Sequence, residues 1–111
     1  MTIIEKKIEI LNHWNSKKIT VHKKMNPDLS SELSRTMKYY EVEEIKGFID
    51  FYATILEPGV PESQKKYFWT YKWNLWEFLK RGIRKFDGQD VSNYLKNQTI
   101  QAPEAIIFKR K

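Results

Sequence analysis

The chain of 111 residues contains no cysteine. Disulfides, thiolate nucleophiles and cysteine-based zinc sites are therefore excluded, and the fold must hold by packing alone. Histidine is scarce as well. His13 and His22 have no convincing carboxylate triad between them, a pattern that suits surface or structural histidines better than a metal site or histidine-based catalysis. The four glycines, Gly47, Gly59, Gly82 and Gly88, stand far apart and no GxxxxGK(S/T) stretch is present, which argues against nucleotide hydrolysis on a phosphate-cradling loop. No apolar run approaches the roughly 20 residues of a membrane helix. The opening Met1-Thr2-Ile3-Ile4-Glu5-Lys6-Lys7 also lacks the basic-then-apolar order of a secretory signal. These absences predict a soluble, cytoplasmic protein with no cofactor and no membrane contact.

What is present is aromatic and charged. Four Trp, six Tyr and six Phe supply enough large side chains to fill one compact core, and the length fits a single domain. Residues 3–16 place Ile4, Ile8, Leu11 and Asn15, with Ile3 and Trp14 beside them, on one helical face, while Glu5, Lys6, Lys7 and Glu9 point away. Residues 16–24 read as a basic loop. Asn26-Pro27-Asp28 then supplies a cap, a proline at the first helical position and an acid in the first turn. From there Leu29, Leu33, Met37 and Tyr40, followed by Val42, Ile45, Phe48, Ile49, Tyr52 and Leu56, predict two helices meeting near Tyr39 to Glu41.

Pro58, Gly59 and Pro61 break the pattern, so residues 58–66 are expected as an exposed loop. Asn74 and Glu77 form a capping pair ahead of a short helix from Leu75 to about Arg81, with Gly82 as its terminator. A last helical piece is expected between Asp87 and Asn97, with Val91, Tyr94 and Leu95 on its apolar side. The predicted fold is all-α, a compact single domain of four or five helices over residues 1–97, with 98–111 as a loose basic tail. Helices one to three bundle, and the segment from Trp73 to Phe86 closes the core.

Charge is segregated along this chain. The net charge is +4 over residues 1–27, −5 over 28–64, +6 over 65–86 and +1 over 87–111. Glu41, Glu43 and Glu44 open a helix, where the macrodipole explains acids without any general acid/base role. The acidic middle segment would repel DNA and suits a basic protein partner or a solvated face. By contrast, the segment from Lys65 to Lys85 interleaves cations with aromatics, as a single-stranded nucleic-acid surface requires: bases stack while cations track phosphates. The candidates there are Lys65, Lys66, Lys72, Lys80, Arg81, Arg84 and Lys85 for phosphate, and Trp69 or Tyr71 for stacking. Set against this, aromatics beside a capped helix more often build core, and helical cations more often face water.

Several ordered motifs carry a resemblance. Leu11-Asn12-His13-Trp14-Asn15-Ser16 is followed by Ile19 and His22, then by Tyr40-Glu41-Val42-Glu43-Glu44-Ile45 with Ile49 and Tyr52-Ala53. Tyr71-Lys72-Trp73-Asn74-Leu75 and Phe78-Leu79-Lys80-Arg81-Gly82 continue the series, which closes on Phe86. Over roughly residues 8–86 the chain resembles the C-terminal module of phage and prophage replication proteins, the replisome-organiser or DnaD-like group of low-GC Gram-positive hosts. The resemblance implies a helical, non-enzymatic module that contacts origin or single-stranded DNA and a host or phage helicase or helicase loader. The alternative is a protein-interaction module or small inhibitor that binds a replication or repressor protein without touching DNA. On either reading Trp14, Tyr40, Ile45, Ile49, Tyr52, Trp73, Leu75, Phe78 and Leu79 mainly pack.

Overall fold

The computed structural model describes residues 2–96, so the expected tail over 98–111 lies outside the described residues. Helix α1, Ile3–Ser16, starts on a reciprocal cap: the Thr2 hydroxyl accepts the Glu5 N–H at 3.1 Å and the Glu5 carboxylate accepts the Thr2 N–H at 2.8 Å. Helix α2, Pro27–Thr36, starts where its cap signal placed it, with the Asn26 side chain accepting the Leu29 N–H at 2.8 Å. Helix α3, Val42–Leu56, opens with the Glu44 carboxylate accepting the Glu41 N–H at 2.8 Å. It stops at Glu57, whose φ of 51° turns the chain out of the helix.

Helix α4 covers residues 75–86 and is composite. Helical turns at Leu75–Glu77 and Ile83–Phe86 flank a π segment, Phe78–Gly82, in which the Ile83 N–H reaches back to the Phe78 carbonyl. Short 3₁₀ turns lie at Glu62–Gln64 and Val91–Tyr94. No strand exists among the described residues, only an isolated antiparallel bridge between Tyr67 and Leu95. Over the described residues the domain is therefore all-α with four helices. No helix among the described residues is long and apolar enough to cross a membrane.

Helix α1 packs on α3 and α2, while α4 runs from α2 at its start to α3 at its end. The core sits where these contacts meet, around Tyr52. Its ring stacks on Phe78 at 5.1 Å and on Trp14 at 6.0 Å, and it meets Trp69 edge-on. The buried Tyr52 hydroxyl donates to the Tyr71 carbonyl and accepts the Trp73 N–H, both at 2.7 Å, and so ties the 67–74 segment to α3. All of the residues expected to pack are buried except Tyr40, which is half-buried and edge-on to Phe48.

Three local expectations are corrected. Gly82 does not end the helix. Its φ of −70° and ψ of −41° are helical, and a Cβ there would lie 2.5 Å from Phe78 Cδ1 and 3.0 Å from Trp73 Cζ3, so its role is close approach. The buried face of α1 is Ile10, Leu11 and Trp14, whereas Ile3, Ile4 and Ile8 are 55%, 66% and 47% exposed. Lys7 and Glu9 take the inward positions instead, because Lys7 Nζ meets Ser30 Oγ at 2.6 Å and Glu9 meets Lys46 Nζ at 2.8 Å. The last helical piece shrinks to the 3₁₀ turn at Val91–Tyr94, whose Tyr94 is buried against Phe86 and Phe51.

Residues 17–24 are also better anchored than a solvated loop. Ile19 is buried, and the Asn15 side chain brackets the His22 backbone with two 2.9 Å hydrogen bonds. His22 Nε2 in turn accepts the Leu75 N–H at 3.0 Å, which satisfies a free donor at the start of α4.

Candidate nucleic-acid interface

The residues that build the interface come from α4 outward. The Asn74 side chain accepts the Glu77 N–H at 2.8 Å and fixes the start of the helix. Leu75, Phe78, Leu79, Ile83 and Phe86 then turn into the core, which leaves Lys80, Arg81, Arg84 and Lys85 on the outer face. All four cations are exposed, and none forms an ion pair among the described residues. Like charges three and four positions apart on a helix repel by a few tenths of a kcal/mol per pair. The face is tolerated partly because cations near a helix C-terminus complement its dipole.

Two of these cations also lean on indoles. Lys80 Nζ lies 4.7 Å from the Trp76 ring and Lys85 Nζ lies 5.5 Å from the Trp69 ring. Trp69 itself is half-buried. It packs on Trp73 at 5.3 Å and on Phe86 at 5.5 Å, and its indole N–H donates to the Tyr71 carbonyl at 2.7 Å. Tyr71 is 57% exposed and meets Trp73 edge-on. Of the two candidate stacking residues, only Tyr71 presents most of its ring to solvent.

Lys65, Lys66 and Lys72 sit on the 62–73 segment rather than on α4. Lys65 is half-buried, 3.9 Å from Glu62, while Lys66 and Lys72 are exposed. The backbone at Lys66 and Tyr67 is pinned by the Glu57 carboxylate at 2.9 and 3.1 Å. The structure thus sets Lys80, Arg81, Arg84 and Lys85 together on α4, brings only Lys85 to Trp69, and leaves Lys65 and Lys66 near Glu57 and Glu62.

Sequence reasoning missed one part of this region. A groove of about 260 Å³ runs between the end of α2 and α4, lined on one side by Glu32, Arg35, Thr36, Tyr39 and Tyr40 and on the other by Leu79, Lys80, Ile83 and Arg84. Arg35 holds the nearly buried Glu32 carboxylate at 2.6 Å, and the Tyr40 hydroxyl lies 3.2 Å from Asp87 Oδ2. The exposed Tyr39 was legible only as part of a helix junction.

Among the described residues, no three His, Asp or Glu side chains converge in a way that would hold a metal ion. His13 Nε2 and Lys17 Nζ lie 2.7 and 2.9 Å from Asp50 Oδ1. Partial burial raises the Asp50 pKa, but the Lys17 and His13 hydrogen bonds and charges outweigh it and hold the carboxyl below its ordinary value. Comparison of the chain with known protein families, with curated proteins and with solved structures finds no match.

Proposed function

We propose that this chain is a non-enzymatic, cytoplasmic accessory module of phage-type DNA replication, contacting DNA through the outer face of α4 and meeting a helicase or helicase loader. The observation that carries the reading is the set of four exposed cations, Lys80, Arg81, Arg84 and Lys85, without ion-pair partners among the described residues. Their mutual repulsion costs stability, and a row of phosphates relieves it by exchanging repulsion for released counterions. The collinear motifs that resemble the replication module supply the biological setting.

Fluorescence anisotropy of labelled single- and double-stranded oligonucleotides at two salt concentrations tests it. The expected result is binding that weakens steeply with salt and is lost when Lys80, Arg81, Arg84 and Lys85 are all changed to Glu, with the helical circular dichroism unchanged. A folded wild type that binds neither oligonucleotide at low salt refutes DNA contact. The competing reading, a protein-interaction module, draws on the exposed stripe of Ile3, Ile4 and Ile8 on α1. It predicts no DNA binding, and a complex with a replication or repressor protein that survives moderate salt and is lost when those three residues become Ser.

A further inference from the structure

We infer that the groove between α2 and α4 is a pocket for one unpaired nucleobase, so that single-stranded nucleic acid is the preferred ligand. The inference rests on the DNA-contacting reading and adds to it a site and a strand preference. Three features of the groove point the same way. Its floor is apolar, formed by Leu79 and Ile83, 5% and 2% exposed, with Thr36 beside them. Its rim carries two cations without ion-pair partners among the described residues, Lys80 and Arg84, while the one lining carboxylate, Glu32, is engaged by Arg35. At its edge stands Tyr39, 77% exposed, whose ring makes no ring contact or hydroxyl hydrogen bond among the described residues.

A phosphate alone would use the rim and leave the apolar floor and the tyrosine ring unused. A base uses all three, because its face stacks on Tyr39, its ring covers the floor, and the flanking phosphates meet the rim cations. In a duplex the faces of a base are covered by its stacked neighbours and its edge by its complement, so only an unpaired base enters a groove between two helices. The other cations, Arg81 and Lys85, are not among the groove-lining residues and offer phosphate contacts to single strands and duplexes alike.

The test compares the full chain with Tyr39→Ala, with Tyr39→Phe and with the pair Arg81→Glu and Lys85→Glu, each titrated against a labelled single strand, the matching duplex and a strand of abasic sugar-phosphate. Tyr39→Ala should weaken single-strand binding on the order of tenfold, leave duplex and abasic binding unchanged, and be rescued by Tyr39→Phe. The Arg81→Glu and Lys85→Glu pair should weaken all three ligands. If Tyr39→Ala binds the single strand as wild type does while the charge-reversed pair loses affinity, the groove is not a base pocket and the DNA-contacting reading stands. If wild type binds no nucleic acid at low salt, both fail.

Discussion

Replacing Gly82 by Ala separates two meanings of a glycine in a helix. At an ordinary helical position the change stabilises, by roughly 0.5–1 kcal/mol, because alanine has the better helix propensity. Gly82 has helical φ and ψ, so no backbone strain opposes the new side chain. What opposes it is space. The added Cβ would lie 2.5 and 2.9 Å from Phe78 Cδ1 and Cε1, and Phe78 is fully buried between Tyr52 and Trp14, with ring centroids at 5.1 and 5.4 Å. The ring cannot swing aside without disturbing the centre of the core. Overpacking a well-filled core costs about 1–3 kcal/mol. After the propensity gain, the net loss is on the order of 1–2 kcal/mol, or a fall in Tm of roughly 5–15 °C for a domain of this size.

Urea and thermal unfolding followed by circular dichroism measure the loss, and a double-mutant cycle assigns its cause. In a Phe78→Val background Cδ1 and Cε1 are gone and only the 3.0 Å approach to Trp73 Cζ3 remains, so Gly82→Ala should cost clearly less there than in wild type. If Gly82→Ala is at least as stable as wild type, or costs the same with Val at 78, the close approach to Phe78 is not the reason for glycine here.

Two further changes probe the ties that hold α4 and the 67–74 segment. Tyr52→Phe keeps the stacked ring but strands the buried Trp73 N–H, while the Tyr71 carbonyl keeps the Trp69 indole N–H, so unfolding free energy should drop by about 1–2 kcal/mol; a loss below roughly 0.5 kcal/mol would remove this hydroxyl from the account. Burial lowers the His22 pKa below its ordinary 6.5, and its Nε2 must be unprotonated to accept the Leu75 N–H. The unfolded chain then binds the proton more tightly, so this contribution is whole above about pH 6.5 and lost as the pH falls below it. His22→Gln, which can accept the same N–H without titrating, should flatten that part of the stability curve, and an unchanged slope would assign it to another group.

Much of the helical framework was legible because caps and apolar spacing are local signals. Asn26-Pro27-Asp28 and the Asn74 and Glu77 pair mark the starts of α2 and α4 as the structure has them. The face of α1 was not legible, because Ile3, Ile4 and Ile8 repeat at helical spacing whether or not anything covers them. Which side turns inward depends on long-range packing: Ile10, Leu11 and Trp14 meet the core, while Lys7 and Glu9 find Ser30 and Lys46 at its edge. Gly82 misled for the same reason: glycine ends helices on local grounds, while the rings that require it come from Phe78 and Trp73. One local signal did point the right way, since the spacing of Leu75, Phe78, Leu79, Ile83 and Phe86 continues through Gly82 without a break. Of the groove, Lys80 and Arg84 were visible as charge, but Arg35 and Tyr39 join them only through the packing of α2 on α4.

The segregation of charge along the sequence also survives folding in a way the net charge of +6 conceals. The acids of the middle segment are mostly spent locally. Glu44 caps α3, Asp50 holds His13 and Lys17, Glu43 and Glu9 share Lys46, and Glu57 accepts two backbone N–H groups from the 66–67 stretch. Each of these contacts neutralises a charge or satisfies a donor away from α4. Had Glu41, Glu43 or Asp50 reached across to Lys80 or Arg81, the excess of cations over residues 65–86 would have been cancelled in space. It is not, so the field above α4 is set mainly by its own four cations, while Arg35 of α2 is neutralised by Glu32. At physiological ionic strength such a field reaches about 8 Å into solvent. That range would cover a phosphate backbone lying on the helix and little beyond it, so the proposed DNA contact would be one of close docking rather than long-range capture.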